Sequence, residues 1–422
     1  MPMLDSDALA TYLEKVRKKA PLPKMVNQDS DLYALMKTRT DVVVVGQKAY
    51  RAPIVVRTGG AFSTANFNGA NALGLGNAGL RKEYTASPYS MKQGKELSLA
   101  VEYHTNDPQK AVENVVESEM EDSSKAFAAG LDITAFTSGN GVLCAVVSGQ
   151  GTTTMVVDDA RKLLPGMRLT SYNATQSTQR TTADSTSNVD VVDVDHDSNT
   201  VTTTAAFTGT PAATDVLCLG GLSGATPATI VGLPGWHNGA PTGLVGGLDR
   251  ATYFAIRTPF VTAGGQLTHS HGYQLLTKMR KKRGKSNVKK GLWVGSPTTW
   301  AGVAESATSM QTLEGPADGD GVPDWGFDIE TDGKFCGRPF KQCTHAPDDR
   351  LDYFVPEAWA RLVVEDVKLL KMGGNTIFPR YSTTDGSPTS AFLWYLIWEG
   401  AFMCVDTSAG GYISTLVKPA GY

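Results

Sequence analysis

Two glycine-rich stretches have spacings that could bind phosphate groups. Gly74, Gly76 and Gly79 match the dinucleotide-binding pattern G-x-G-x-x-G, which needs a preceding strand and a following helix whose N–H groups meet the pyrophosphate. Pro88 interrupts any helix downstream, and residues 284–286 follow no glycine at the spacing of a phosphate-binding loop. These glycines therefore indicate flexible chain, and a nucleotide-binding enzyme stays as an alternative function.

Carboxylate and thiol clusters offer candidate metal ligands. Residues 318–324 resemble a calcium-binding repeat of thrombospondin-like proteins, but such repeats come in tandem arrays and this one is single. Residues 193–199 alternate oxygen ligands without the glycine and glutamate of a calcium loop. Cys336, Cys343 and His345 are widely spaced for zinc and have no fourth ligand nearby. We predict no metal and no cofactor, with a calcium-binding β-rich protein as the second alternative.

Nucleophilic catalysis has no recognisable signature in this sequence. No G-x-S-x-G elbow occurs, and the six histidines are scattered without an evident nucleophile or carboxylate beside them. The five cysteines are an odd number with no paired spacing, which predicts reduced thiols and synthesis in a cytoplasm. We therefore predict that the protein is not an enzyme.

Charge is uneven along the chain although the formal net charge is only −3. No Lys or Arg occurs from Thr181 through Asp249, which predicts an acidic surface there. A basic run could contact nucleic-acid phosphates without reading sequence, or form a solvated face or a contact with an acidic neighbour; both interpretations stay open. The run comprises Lys278, Arg280, Lys281, Lys282, Arg283, Lys285, Lys289 and Lys290.

No membrane segment is predicted. The most apolar run, residues 391–405, contains Glu399 and is shorter than the roughly 20 residues that span a bilayer. The first residues lack the basic and apolar regions of a secretory signal.

The N-terminal quarter predicts an arm followed by a long flap. Residues 6–19 have apolar side chains at helical spacing and form an amphipathic arm. Residues 52–57 and 94–104 read as strands, and the glycine-rich sequence between them makes the pair an extended β-hairpin with little core of its own. We expect a neighbouring subunit to hold this flap.

An acidic helix of unusual length is predicted next. Asp107 can cap its start and Gly130 suits its exit, so about 22 residues would span roughly 33 Å at ~1.5 Å each. One stripe of the helix is apolar, and the opposite stripe carries acids four residues apart, which repel unless a basic partner neutralises them. These acids, predicted to face outward, are Glu113, Glu117 and Glu121.

The remaining sequence predicts two further domains. Residues 149–220 are rich in Thr, Ser, Val and Asp, with strands at 153–157, 168–173, 189–195 and 200–207, which indicates a small inserted β domain. Beyond it, an α+β domain is predicted. Its expected helices are 272–283, 297–311 and 356–369, and its expected strands are 291–295, 392–398 and 401–405.

This order of elements resembles that of the major capsid proteins of tailed bacteriophages, which have the Hong Kong 97-like fold. Residues 232–236 followed by 248–250 look like that family's turn after an insertion, and residues 335–340 with 392–405 look like its return strands. The resemblance implies six segments. They are an N-terminal arm (1–49), an extended loop (50–104), a peripheral domain with a spine helix (105–148), an inserted β domain (149–220), an axial domain (221–334) and a return segment (335–422).

The resemblance also implies a function and partners. The chain would self-assemble into pentamers and hexamers of an icosahedral shell around double-stranded DNA, in the virion, after synthesis in the host cytoplasm. A scaffolding protein, a portal and a decoration protein would be further partners. Candidate intersubunit residues are then Glu113, Glu117, Glu121, Lys82, Lys92 and Lys95. Some relatives cross-link a lysine to an asparagine, but no matching asparagine or acid is evident and we predict no cross-link.

Overall fold

The structure, a computed structural model, divides into two compact units. The first comprises residues 1–36, 88–230 and 361–401, and the second comprises residues 37–87, 231–360 and 402–422. The residues that the structure describes are 22–38, 43–45, 49–57, 59, 78–98, 108–182, 188–208, 212–219, 229–283, 290–308, 333–371, 375–381 and 388–419. The predicted arm at residues 6–19 lies outside these ranges, as does the candidate calcium segment at 318–324.

The described residues form five α-helices and 24 strands. The helices are α1 (Leu22–Asp29), α2 (Pro108–Ala135), the single turn α3 (Leu233–Trp236), α4 (His269–Arg283) and α5 (Pro297–Thr308). The strands are β1 (Lys37–Thr38), β2 (Val43–Val45), β3 (Ala49–Arg57), β4 (Leu80–Ala86), β5 (Tyr89–Ser98), β6 (Val142–Ser148), β7 (Thr154–Val157), β8 (Arg168–Tyr172), β9 (Thr181–Thr182), β10 (Val189–Asp195), β11 (Thr200–Thr203), β12 (Phe207–Thr208), β13 (Val216–Leu219), β14 (Leu244–Val245), β15 (Leu248–Asp249), β16 (Phe260–Gly265), β17 (Leu292–Gly295), β18 (Lys334–Phe335), β19 (Arg338–Gln342), β20 (Arg350–Phe354), β21 (Trp359–Leu369), β22 (Phe378–Tyr381), β23 (Pro388–Cys404) and β24 (Gly411–Leu416).

In the first unit, α2 packs against a long antiparallel ribbon. Strand β5 pairs with β23 over ten residue pairs, from Ser98 opposite Ala391 to Tyr89 opposite Gly400. The helix and β5 approach closely at Gly130, where an added Cβ would lie 2.3 Å from Met91 Cε. The close approach of α2 and β5 therefore favours glycine, which has no side chain, at position 130.

A closed six-stranded barrel is the second part of the first unit. Its strand order is β10-β11-β7-β6-β13-β8, and every pair in it is antiparallel. The core is made mainly of Val, Leu and Met side chains from these strands, together with Cys144, Ala160 and Phe207. Ile133, near the end of α2, is part of the same apolar core. The last turn of the helix therefore anchors the barrel.

The second unit is built on two sheets. Strands β2, β3 and β4 form an antiparallel sheet, in which Tyr50, Ala52 and Ile54 point inward and alternate with exposed residues. A six-stranded mixed sheet has the order β16-β24-β20-β17-β19-β18. Helix α4 packs on its β16 and β24 strands, and its buried side includes Leu275 and Met279.

Three expectations about local structure are wrong. The predicted helix at 356–369 is strand β21, because Val367 and Leu369 point inward while Asp366 and Lys368 point outward, which is the period of a strand. The flap hairpin does not join 52–57 to 94–104: β3 pairs with β4, whereas β5 pairs with β23. Gly130 does not end the long helix, which continues to Ala135.

Candidate assembly surfaces

The acidic side of α2 is exposed where the structure describes its side chains. Glu121 and Lys125 are exposed on the helix, whereas Met120 and Phe127 are buried. Glu113 and Glu117 lie in the same helix, but their side chains fall outside the described residues. The outward placement of Glu121 agrees with the helical wheel, and its contact with another subunit stays a prediction.

The three flap lysines do not lie on one hairpin. Lys82 is on β4, half-buried, with its Nζ 5.9 Å from the centre of the Tyr253 ring. Lys92 and Lys95 are on β5, where Lys92 is exposed and Lys95 forms a 2.8 Å ion pair with Glu119 of α2. Lys95 thus has a partner within its own chain, and no local pattern in the sequence indicates this pair.

The basic run begins on the exposed side of α4. Lys278, Arg280, Lys281 and Lys282 are exposed, while Arg283 is the last helical residue and Lys285 lies outside the described ranges. Lys278 Nζ donates to the carbonyl oxygen of Phe260 at 2.8 Å, and Lys282 Nζ donates to that of Arg257. The ammonium groups therefore hold the backbone of residues 254–260, a role that spacing alone does not reveal.

A buried carboxylate fixes the segment after α1. Asp132 of α2 accepts backbone N–H groups from Asp31, Leu32 and Tyr33 at 2.5, 3.2 and 2.9 Å. Burial raises the pKa of Asp132 to about 6, although these three donors oppose the rise. In the same unit, Trp398 donates its indole N–H to the Tyr33 hydroxyl at 3.1 Å.

A buried charge network fixes the mixed sheet of the second unit. His237 Nδ1 lies 3.0 Å from Asp352 Oδ1, and Arg350 binds the same carboxylate through Nε and a terminal nitrogen at 2.6 and 2.8 Å. Burial lowers the pKa of His237, and Arg350 holds the pKa of Asp352 below its usual range despite burial. Neither Asp132 nor His237 had a sequence signal, because their partners lie about a hundred residues away.

The candidate ligand sites of the sequence have no support in the described ranges. No group of three His, Cys, Asp or Glu residues there could hold a metal ion. Residues 193–199 comprise the end of β10 and the turn that leads to β11, and Asp195 accepts hydrogen bonds from the N–H groups of Asp197 and Ser198. Among the described helices, none is both long and apolar enough to cross a membrane.

Comparison with known proteins identifies the fold. The capsid protein of cyanophage A-1(L) superposes with a TM-score of 0.50 at 12% sequence identity, over 92% of this chain and 92% of that chain. This chain has the Hong Kong 97-like capsid fold. The predicted fold class, α+β of this type with an added β domain, is therefore confirmed.

Other capsid proteins match the capsid fold with lower scores. A protein of Mycobacterium phage Bobi has a TM-score of 0.45 at 9% identity, over 92% of this chain and 91% of that chain. The capsid protein of the native GTA particle has a TM-score of 0.44 at 10% identity, over the same shares. No protein-family model matches the sequence, and neither does any curated protein.

Proposed function

We propose that this protein is the structural subunit of an icosahedral phage capsid. The observation that carries the proposal is the capsid fold, shared with the cyanophage A-1(L) capsid protein along 92% of both chains. A likeness over this much of both chains supports a common architecture of the subunit, including parts that would meet its neighbours. In this function the protein is a building unit of the virion and has no enzymatic activity.

Self-assembly into hexamers and pentamers is part of the proposal. The β2–β3–β4 sheet supports it, because β3 buries Tyr50, Ala52 and Ile54 on one face only and leaves Arg51 and Val55 exposed on the other. The exposed face of this sheet would be the surface that a neighbouring subunit covers. The paired strands β3 and β4, at the start of the segment 50–104, would then belong to the extended loop, and α2 would act as the spine.

Further partners complete the proposed function. The shell would enclose double-stranded DNA without reading its sequence, and a scaffolding protein, a portal and a decoration protein would join it. Synthesis would take place in the cytoplasm of the bacterial host. The exposed lysines of α4 and the exposed Glu121 of α2 are charged groups that such contacts could use.

Electron microscopy of the expressed full-length chain tests the proposal. We expect closed shells, or rings of five and six subunits, in negative stain, and a matching high-mass peak in size-exclusion chromatography. Protein that stays monomeric at high concentration, with or without a co-expressed scaffold from the same genome, would overturn the proposal.

Two binding measurements separate the alternatives. Calorimetry with dinucleotides and nucleotides should give no heat, because the glycine pattern at 74–79 is followed by strand β4 and not by the helix that a pyrophosphate site needs. A chelator should leave the melting temperature unchanged, whereas a calcium-binding protein would lose stability when its ion is removed. Heat of binding in the first experiment or a lower melting temperature in the second would favour the corresponding alternative.

A further inference from the structure

Two Asn-Gly pairs lie within the described residues and differ in their surroundings. In such a pair the main-chain nitrogen of the glycine can attack the side-chain amide carbon of the asparagine, because glycine has no Cβ to obstruct the approach. The sequence contains three Asn-Gly pairs, which begin at Asn68, Asn140 and Asn238. The first lies outside the residues that the structure describes, so the comparison concerns Asn140 and Asn238.

Two hydrogen-bond donors meet at the side-chain oxygen of Asn140. Ser138 Oγ donates to Asn140 Oδ1 at 2.7 Å, and the Val142 N–H donates to the same oxygen at 3.3 Å. Attack on the amide carbon places negative charge on this oxygen, and donors that already point at it stabilise that charge. The turn therefore holds the donors that ring closure at Asn140 requires.

The nitrogen that would attack Asn140 is not engaged elsewhere. Gly141 accepts a hydrogen bond from the Leu219 N–H at 3.2 Å through its carbonyl oxygen, whereas its own N–H has no acceptor in the described part of the chain. Loss of the N–H proton, which the attack requires, therefore breaks no hydrogen bond. Gly141 is buried, but Ser138 is exposed and Asn140 is half-buried, so solvent reaches the turn.

Asn238 has the opposite surroundings. The Gly239 N–H donates to the Tyr412 hydroxyl at 3.1 Å, so an acceptor holds the proton that would have to leave. A Cβ on Gly239 would lie 2.3 Å from the Phe260 ring, which shows how tightly this turn is packed. Ring closure at Asn238 would have to break the Tyr412 hydrogen bond and displace packed atoms.

We propose that Asn140 is a site of spontaneous covalent modification, where the asparagine becomes aspartate or isoaspartate. The Gly141 nitrogen forms a bond to Asn140 Cγ while the bond from Cγ to Nδ2 breaks, and ammonia leaves with the proton of the former N–H group. Water then opens the succinimide ring at either of its carbonyl carbons. The reaction needs no reactant other than water, and it does not depend on the proposed capsid function.

The modified residue lies where the chain enters the barrel. Asn140 is between the end of α2 at Ala135 and the start of β6 at Val142. Beside it, the Thr229 N–H donates to the Gly139 carbonyl oxygen at 3.1 Å, so the chain that leaves the barrel is bonded to the same turn. Both products replace a neutral amide with a carboxylate, and isoaspartate also lengthens the main chain by one carbon atom. The connection between the helix and the barrel would thus change as the protein ages.

Peptide mass spectrometry of aged protein tests the proposal. Full-length protein is incubated in H₂¹⁸O, so that each conversion adds about 3 Da and is distinguished from conversion in ordinary water during digestion. In the folded protein, conversion at Asn140 should be at least about tenfold greater than at Asn238. In guanidinium chloride the two rates should become similar, because neither pair then keeps its contacts.

Substitution of the exposed Ser138 tests the role of its hydroxyl group. Ser138→Ala should slow conversion of Asn140 in the folded protein about twofold to tenfold, which is the effect of one ordinary hydrogen bond on a rate. Ser138→Thr keeps a hydroxyl group and should convert like the wild type. Neither variant should alter the rate in guanidinium chloride, where the hydrogen bond is absent.

The outcomes separate the site from the mechanism. No conversion at Asn140, or equal conversion at Asn140 and Asn238 in the folded protein, would overturn the proposal. A folded-state rate that Ser138→Ala leaves unchanged would overturn the assignment of Ser138 as a stabilising donor. Asn140→Gln should remove the mass shift from its peptide, and a shift that persists would show that another residue reacts.

Discussion

Asp352 accepts a hydrogen bond from His237 across 3.0 Å in the buried centre of the mixed sheet. Since Nδ1 is then the donor, Nε2 is the unprotonated nitrogen, and it is buried without a hydrogen-bond partner among the described residues. Beside it, a Cβ on Gly410 would lie 2.4 Å from the imidazole ring, so the site has no space for a larger residue there. A proton on Nε2 would put a charge on a fully buried ring and leave a buried N–H group without an acceptor. Burial accordingly lowers the pKa of His237, although the carboxylate of Asp352 opposes the fall.

Stability should therefore fall in acid because of His237. Above the ordinary histidine pKa of 6.5, His237 is neutral in both the folded and the unfolded chain, so protonation of this residue takes nothing from the free energy of unfolding. Below pH 6.5, His237 is protonated in the unfolded chain but stays neutral in the folded chain, which favours unfolding. We expect the free energy of unfolding, measured in denaturant from about pH 7.5 to 5.5, to fall more steeply in the wild type than in His237→Gln.

Titration of Asp132 changes stability with pH in the opposite direction to that of His237. The effect of His237 is therefore measured as the difference between the wild type and His237→Gln. The raised pKa of Asp132 makes stability fall as the pH rises from about 4 to 6, equally in wild type and His237→Gln. Asp352 titrates below this window, because its pKa is lowered. If the free energy of unfolding changes with pH equally in the wild type and in His237→Gln, His237 does not cause the loss of stability in acid.

Asp132→Asn should loosen residues 31–33. The amide keeps one acceptor oxygen but turns an N–H group toward a backbone donor, leaving a buried group unsatisfied at a cost of about 1–3 kcal/mol. Hydrogen exchange should show faster exchange of the Leu32 and Tyr33 amides. Asp122→Asn, an exposed change on the same helix, should leave that exchange as in the wild type; unchanged protection in Asp132→Asn would contradict the role of this carboxylate.

Two ion pairs of the barrel should differ in their effect on stability. Arg180 and Asp215 are 11% and 3% exposed and meet at 2.8 Å, so Arg180→Ala leaves a buried carboxylate unpaired and should destabilise the protein by about 3 kcal/mol. Arg168 and Asp190 are 60% and 45% exposed, so Arg168→Ala should cost about 1 kcal/mol or less. Thermal unfolding monitored by circular dichroism measures both, and similar losses would contradict the comparison.

Reversal of the α2 acids should impair assembly more than folding. The triple change Glu113→Lys, Glu117→Lys and Glu121→Lys keeps a charged helix surface but inverts what a neighbouring subunit meets. We expect an unchanged melting temperature and a loss of shells in negative stain. Asp193→Lys with Asp197→Lys, at the exposed β10–β11 turn, is the control. If the triple variant forms normal shells, these acids only face solvent and make no contact that assembly needs.

Local patterns in the sequence were sufficient for most elements. Strand β10 lies at 189–195 as predicted, because alternating Val and Asp specify an amphipathic strand without help from other segments. The long helix was predicted from its cap and stripe, yet its end was missed, because Gly130 serves close packing against Met91 and not a helix exit. Strand β21 was predicted to be a helix because its run of Val, Glu and Lys fits both the helical period and the strand period. Pairing within the sheet is what makes it a strand.

Relationships between distant residues could not be predicted. The pairing of β5 with β23 joins residues almost 300 positions apart, and the nearer strand 52–57 appeared to be the natural partner. In the same way, the basic run predicted a charged surface but not which groups its lysines would contact. The hydrogen bonds from Lys278 and Lys282 to the backbone of residues 254–260 became visible only once the fold placed that segment beside α4.

The barrel has a topological property with evolutionary consequences. Its first and last strands, β6 and β13, are hydrogen-bonded neighbours, with Cys218 opposite Val142. The chain therefore enters and leaves through adjacent positions, so a lineage could gain or lose these strands in one genetic event while the residues on either side stay within joining distance. Such a geometry makes the barrel a natural place for the sequence to diversify, or for a foreign sequence to be inserted, with the rest of the chain left unaltered.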